Sequence, residues 1–84
     1  MVDVRLSPEA RRQFARLPKT IKTRVFHMME RLKQWPAVSG AKPLRHDLAG
    51  QFRLRTGDYR LQFHIEGQEV VVERIGHRAG FYEE

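Results

Sequence analysis

The sequence predicts an α+β fold: an N-terminal strand, a helical hairpin, then a three-stranded antiparallel meander, with the helices packed on one face of a small sheet. Three observations carry this. Residues 2–6 alternate apolar and polar. Residues 8–35 repeat apolar side chains every three or four positions. Residues 51–75 return to a period of two, broken by two glycine-containing turns.

Each element follows in order. Val2 and Val4 against Asp3 and Arg5, then Leu6, form a short strand. Ser7-Pro8-Glu9 starts a helix: serine caps, proline suits the first turn, and glutamate sits near the positive end of the dipole. Ala10, Phe14 and Leu17 share one face of that helix, and Pro18 ends it. A second helix runs from about residue 19 to 35, with Ile21, Val25, Met28, Met29, Leu32 and Trp35 as one apolar stripe. Residues 36–43 read as a loop, with Pro36, Ser39, Gly40 and Pro43. Phe52 and Leu54 alternate with Gln51, Arg53 and Arg55, and Thr56-Gly57-Asp58 turns the chain. Tyr59, Leu61, Phe63 and Ile65 alternate with Arg60, Gln62 and His64, and Glu66-Gly67-Gln68 turns it again. Residues 70–75 are apolar on both faces apart from Glu73 and Arg74, the pattern of a central strand that Gly76 ends.

The chain of 84 residues reads as one small domain over residues 1–84, with no repeat, linker or low-complexity stretch. A chain of this length buries only roughly 60% of its unfolded surface, so the core is thin. Cysteine is absent, which excludes a disulfide scaffold, a thiol nucleophile and thiolate zinc sites. The four histidines lie 19, 18 and 13 residues apart, so no local pair has metal-ligand spacing, and no metal or cofactor is expected. The longest purely apolar run is Val70-Val71-Val72, far short of a membrane span, and the start has no apolar signal region. The expected location is therefore cytoplasmic.

Charge narrows the function. Net charge is +6, and twelve of the sixteen cations are arginine, the fork-shaped donor that suits phosphate. Such a chain is expected to meet a polyanion. Residues 1–41 carry all of the net +6, while residues 42–84 balance seven cations with seven acids. Yet strand alternation gathers Arg53, Arg55 and Arg60 on one face with no acid among them. Close guanidiniums repel, and an anion bound there accounts for that arrangement better than a solvated face does. Beyond Gly76 the chain presents His77, Arg78 and Tyr82 close together: a titratable ring, a phosphate fork and an aromatic hydroxyl.

Three segments carry a family resemblance over almost the whole chain. Leu44-Arg45-His46-Asp47-Leu48-Ala49-Gly50 resembles the L-x-x-x-L-x-G segment of the RelE/ParE toxin superfamily. Residues 52–61, Phe-Arg-Leu-Arg-Thr-Gly-Asp-Tyr-Arg-Leu, resemble its Y-R-x-R-x-G-D-Y-R hairpin. Ile75-Gly76-His77-Arg78, with Tyr82 four residues on, resembles its G-H-R…Y ending. In the RelE-like branch the resemblance implies the toxin of a type II toxin–antitoxin system, an endonuclease acting on mRNA in the ribosomal A site. There the ribose 2′-hydroxyl attacks the adjacent phosphate without metal. It further implies Arg60, Arg78 and Tyr82 as catalytic residues, and Arg53, Arg55 and Arg45 as contacts to RNA phosphate. Some active members carry lysines where Arg53 and Arg55 stand. Arginine holds its proton far above neutral pH, so proton transfer falls to His77 or Tyr82. The implied partner is a cognate acidic antitoxin, partly disordered when free, through which alone the pair reaches operator DNA. Two alternatives stay open: a ParE-like inhibitor of DNA gyrase that cuts no RNA, and an inactive homologue that only binds its antitoxin.

Overall fold

The computed structural model describes residues 2–77. Ser7 caps the first helix as its sequence suggests: its hydroxyl oxygen accepts from the Ala10 backbone N–H at 3.0 Å. Strand β1 (Asp3–Leu6) precedes it, and helix α1 covers Pro8–Ala15. Helix α2 runs over Lys19–Leu32, followed by strands β2 (Lys42–Pro43), β3 (Gln51–Thr56), β4 (Tyr59–Glu66) and β5 (Glu69–His77). The architecture is α+β, two helices on one face of a five-stranded sheet ordered β1-β5-β4-β3-β2. The first strand lies parallel to β5, and every other neighbouring pair is antiparallel.

Both hairpins of the meander close with two-residue loops, Gly57-Asp58 and Gly67-Gln68. The glycines have φ of +59° and +62°, the left-handed backbone that type II′ loops require at their first position. The core lies between the helices and the inner sheet face. Val25, Met28 and Leu32 of α2 and Ala10 of α1 meet Leu54, Leu61, Phe63, Val70, Val72 and Ile75. Each fully buried side chain of this size contributes about 1.5–3 kcal/mol from water exclusion.

The structure departs from the expected elements at four places. Helix α1 stops at Ala15, two residues before Leu17, and Pro18 instead opens α2, where a missing N–H costs nothing. Helix α2 stops at Leu32, and tight i to i−3 bonds carry the chain to Trp35. Freed from the helix stripe, the Trp35 ring packs edge-on against Phe52 at 4.8 Å and Phe63 at 5.4 Å. The loop of residues 36–43 ends in the two-residue strand β2, which extends the sheet by pairing Lys42 with Arg53 and Pro43 with Phe52. Gly76 does not end β5: pairing continues to His77, opposite Tyr59.

A β-bulge interrupts β5. Gln62 pairs with Arg74 and Phe63 with Val72, leaving Glu73 as the extra residue. Side-chain phase therefore flips at Glu73. Val70 and Val72 face the helices before it, and Ile75 faces them after it. Two contacts from α1 and its cap anchor this irregularity. Ser7 Oγ donates to the Glu73 carbonyl at 2.8 Å, and Gln13 Oε1 accepts from the Ile75 N–H at 2.6 Å, beyond the last residue that β1 pairs. Among the described residues no helix is long and apolar enough to cross a membrane.

Candidate functional site

The sheet face turned away from the helices carries cross-strand rows of polar side chains. One row reads Lys42, Arg53, Gln62, Arg74 across β2, β3, β4 and β5. The next reads Arg55, Arg60, Gly76. Directly opposed side chains have Cβ atoms about 4.5–5.5 Å apart. Arg55 and Arg60 are such a pair. Five cations thus occupy two adjacent rows, and among the described residues no carboxylate stands in either row. Arg55 is exposed, while Arg53, Arg60 and Arg74 are half-buried. Gln62 lies between them, only 4% exposed, with its amide hydrogen-bonded to the Gln51 side chain.

At the other end of the same face the charges are paired, with carboxylates in excess. Arg5 donates through Nη2 to Glu66 and through Nε to Glu69, both at 2.9 Å. His64 faces Glu73 through Nδ1 at 2.5 Å and Glu66 through Nε2 at 3.3 Å. The hydrogen bond from His64, and then the charge of Arg5, hold the Glu66 carboxyl below the usual carboxylate range. The Glu69 carboxylate, chiefly by its hydrogen bond, raises the Arg5 guanidinium further still. Among the described residues, the acids at this end, Glu66, Glu69 and Glu73, pair with Arg5 and His64. Among the described residues, the face is polarised along the strands, acidic towards the β4–β5 turn and basic in the arginine rows. An anion approaching the face is drawn to the arginine rows.

Of the residues expected in a site, the structure brings Arg53, Arg55 and Arg60 together as alternation predicted. It adds Arg74, which strict alternation would have placed beside Val72 in the core; the bulge at Glu73 turns it outward. The same flip puts His77 in phase with Ile75, at the end of the opposite face. There its ring stands edge-on to Tyr59 at 5.2 Å, and its Nε2 lies 3.9 Å from Asp58. The structure therefore does not align His77 with the arginine rows. Arg45 precedes a short 3-10 helix (His46–Leu48) and is exposed. It borders a cavity of about 340 Å³ together with Lys42, His46 and Arg53, so it reaches the arginine rows from the sheet edge. Arg78 and Tyr82 lie outside the described residues.

Lys42 and Arg74 are the site residues that sequence reasoning missed. A two-residue strand has no period to read, so nothing marked Lys42 as the partner of Arg53. For Arg74 the available signal was a charged pair, Glu73-Arg74, inside an otherwise apolar stretch, where strict alternation would turn one of the two charges into the core.

Comparison with known proteins bears on what such a face is for. The model of the ParE toxin family, described as the ParE toxin of the type II toxin–antitoxin system parDE, matches residues 4–82. Toxin RelG of Mycobacterium tuberculosis is 40% identical over 82 residues, covering 94% of this chain and 93% of that protein. Among solved structures, the toxin–antitoxin complex RelBE2 of Mycobacterium tuberculosis contains a chain 38% identical to this one. It superposes with a TM-score of 0.81 over 93% of this chain and 92% of that chain. The isolated E. coli RelE toxin shares the fold at a TM-score of 0.76 and 15% identity, over 92% of this chain and 84% of that one.

Proposed function

The chain belongs to the ParE toxin family of type II toxin–antitoxin systems, and from that premise we propose that it is a ribosome-dependent mRNA endonuclease that inhibits translation. One observation carries the reading: Arg53, Arg55 and Arg60 share a face and adjacent rows, with Arg55 directly opposite Arg60. A phosphodiester under attack by its own ribose 2′-hydroxyl develops negative charge on its non-bridging oxygens. Preset guanidiniums stabilise that charge most where it is greatest, in the transition state.

The reaction needs little else. The 2′-oxygen forms a bond to phosphorus, the bond from phosphorus to the 5′-oxygen breaks, and a 2′,3′-cyclic phosphate and a 5′-hydroxyl result. One proton leaves the 2′-hydroxyl and one reaches the departing oxygen. Arginine stays protonated at all working pH values, so Arg53, Arg55, Arg60 and Arg78 bind and stabilise phosphate without moving protons. Of the two candidates for proton transfer, His77 is out of phase with the arginine rows, which favours Tyr82. Arg45 holds a flanking phosphate from the sheet edge.

The partner in this reading is a cognate antitoxin, which the similarity to a chain of the toxin–antitoxin complex RelBE2 supports; we take it to be acidic and to carry the pair to operator DNA. Its acidic segment would neutralise the arginine rows and shut the site. The test is cleavage of mRNA on programmed ribosomes, beside supercoiling by DNA gyrase. Cleavage by the wild type, lost in Arg60→Ala and Tyr82→Phe with gyrase unaffected, is the expected result. Arrest of gyrase with intact mRNA would instead make the chain a ParE-like gyrase inhibitor.

A further inference from the structure

The arginine rows do not end at the sheet face. Two cavities open at the β2–β3 edge, one on either side of the Lys42–Arg53 pair. The first, about 420 Å³, is bordered by Arg31 at the end of α2 and by Lys42, Arg53 and Arg55. The second, about 340 Å³, is bordered by Lys42, Arg45, His46 and Arg53. None of the described residues bordering either cavity is an acid. Arg31 is held in place by its own hydrogen bond to the Ser39 carbonyl at 2.5 Å, so its positive end is fixed at the rim. Strand β2 is only two residues long, so it covers β3 no further than Arg53, and the first cavity lies where that cover stops.

We infer that this edge is a second anion subsite, in which Arg31 and Lys42 hold the phosphate backbone of single-stranded RNA leading to or from the arginine rows. The inference rests on the endonuclease reading and extends it to a part of the surface that the reaction itself does not need. Three features favour a nucleic-acid backbone. The charge is continuous: Lys42 stands in the same cross-strand row as Arg53. The cations are mostly guanidiniums, which grip phosphate oxygens in pairs. The cavities also offer little to anchor a docked peptide: Leu44 and Leu54 are buried at 6% and 2% exposure, and the exposed apolar residue at the rim is the small ring of Pro43. Among the described residues the exposed large apolar side chain is Phe26, which borders neither cavity. Each cavity is of a size for a phosphate and its sugar, and an extended single strand presents these in succession.

Counterion release gives a direct test. Binding of a 2′-O-methyl oligouridine, which lacks the attacking hydroxyl and is not cleaved, is measured from low to physiological salt. For single strands the slope of log Kobs against log salt changes by about 0.7 for each phosphate contact. The pair Arg31→Ala/Lys42→Ala is expected to reduce the slope by about 1.4. Lys42→Ala alone, at an exposed position, should reduce it by about 0.7, and serves if the Arg31 change lowers the melting temperature. Arg11→Ala/Lys19→Ala removes the same charge elsewhere and should leave the slope as in the wild type. A wild-type slope in the first pair overturns the inference and leaves the endonuclease reading standing, provided the wild type still cuts ribosome-bound mRNA. Equal reductions in both pairs overturn it in favour of a diffuse field. Binding of an acidic peptide of equal length, tighter than the RNA and lost in the first pair, overturns it in favour of a protein partner.

Discussion

Ser7 Oγ donates a hydrogen bond to the Glu73 carbonyl at 2.8 Å, joining the cap of the first helix to the bulge in the last strand. The same oxygen accepts from the Ala10 N–H, so one hydroxyl serves two elements that are 66 residues apart in sequence. The bulge decides which face Arg74 takes, so this contact links the start of the chain to the anion-binding face.

Ser7→Ala removes both bonds. Loss of an N-cap costs about 1 kcal/mol, and leaving the part-buried Glu73 carbonyl without its donor adds about 1 more. Urea unfolding is expected to show a total near 2 kcal/mol with an unchanged m-value. Ser7→Asp keeps the cap acceptor but faces the carbonyl with a carboxylate, so it should restore no more than the first half. Equal stability of Ser7→Ala and wild type would show that neither bond contributes.

The aromatic wedge offers a sharper loss. Trp35 packs against both Phe52 and Phe63, whose rings stack at 5.5 Å. Trp35 is partly buried, so Trp35→Ala is expected to cost about 3 kcal/mol, the low end for an aromatic truncation and still a large fraction of what a domain this size holds. Trp35→Phe keeps an edge-on ring and should cost less than half of that. Circular dichroism melts of the two variants separate the outcomes, and a loss below 1 kcal/mol in Trp35→Ala would place the ring outside the core.

These contacts show where the sequence stopped being legible. Alternation in β3 and β4 is strict, so the shared face of Arg53, Arg55 and Arg60 could be read directly. Ser7-Pro8 and the two glycine loops are local chemistry, and they read correctly for the same reason. The bulge is not local. It depends on Ser7 and Gln13 reaching β5 from distant sequence, and a one-residue insertion reverses every side chain beyond it. The outward face of Arg74 was therefore not readable from the sequence, and His77, which the sequence presents beyond Gly76, instead continues β5 on the opposite face. Trp35 continued the period of α2 by coincidence, because i and i+3 spacing persists through the tight turns after Leu32.

Acid should weaken the carboxylate-rich end of the polar face. Glu66 titrates below the usual carboxylate range because His64 and then Arg5 favour its charged form. A depressed carboxyl contributes stability that is present above its unfolded value and is lost as pH falls through the folded one. Glu66→Gln removes this linkage. Wild type is expected to exceed the variant at neutral pH and to converge with it as pH drops below the ordinary carboxylate range. Salt should narrow the neutral-pH gap, because the Arg5–Glu66 pair is exposed. A gap constant from neutral to strongly acidic pH would contradict the assignment.

Stability and activity should move in opposite directions at Arg55. It is exposed and stands directly opposite Arg60, a like-charge pair that costs a few tenths of a kcal/mol in the free protein. Arg55→Ala is therefore expected to unfold at equal or slightly higher urea than wild type. Its rate on ribosome-bound mRNA should fall on the order of 10²-fold, the effect of removing one preset donor from the developing charge. Arg55→Lys keeps a cation at the position but loses the fork, and should fall between the two. Arg55→Glu places a carboxylate opposite Arg60, which should raise the melting temperature while abolishing cleavage. A variant that loses activity and stability together would mean that Arg55 holds the sheet rather than the phosphate.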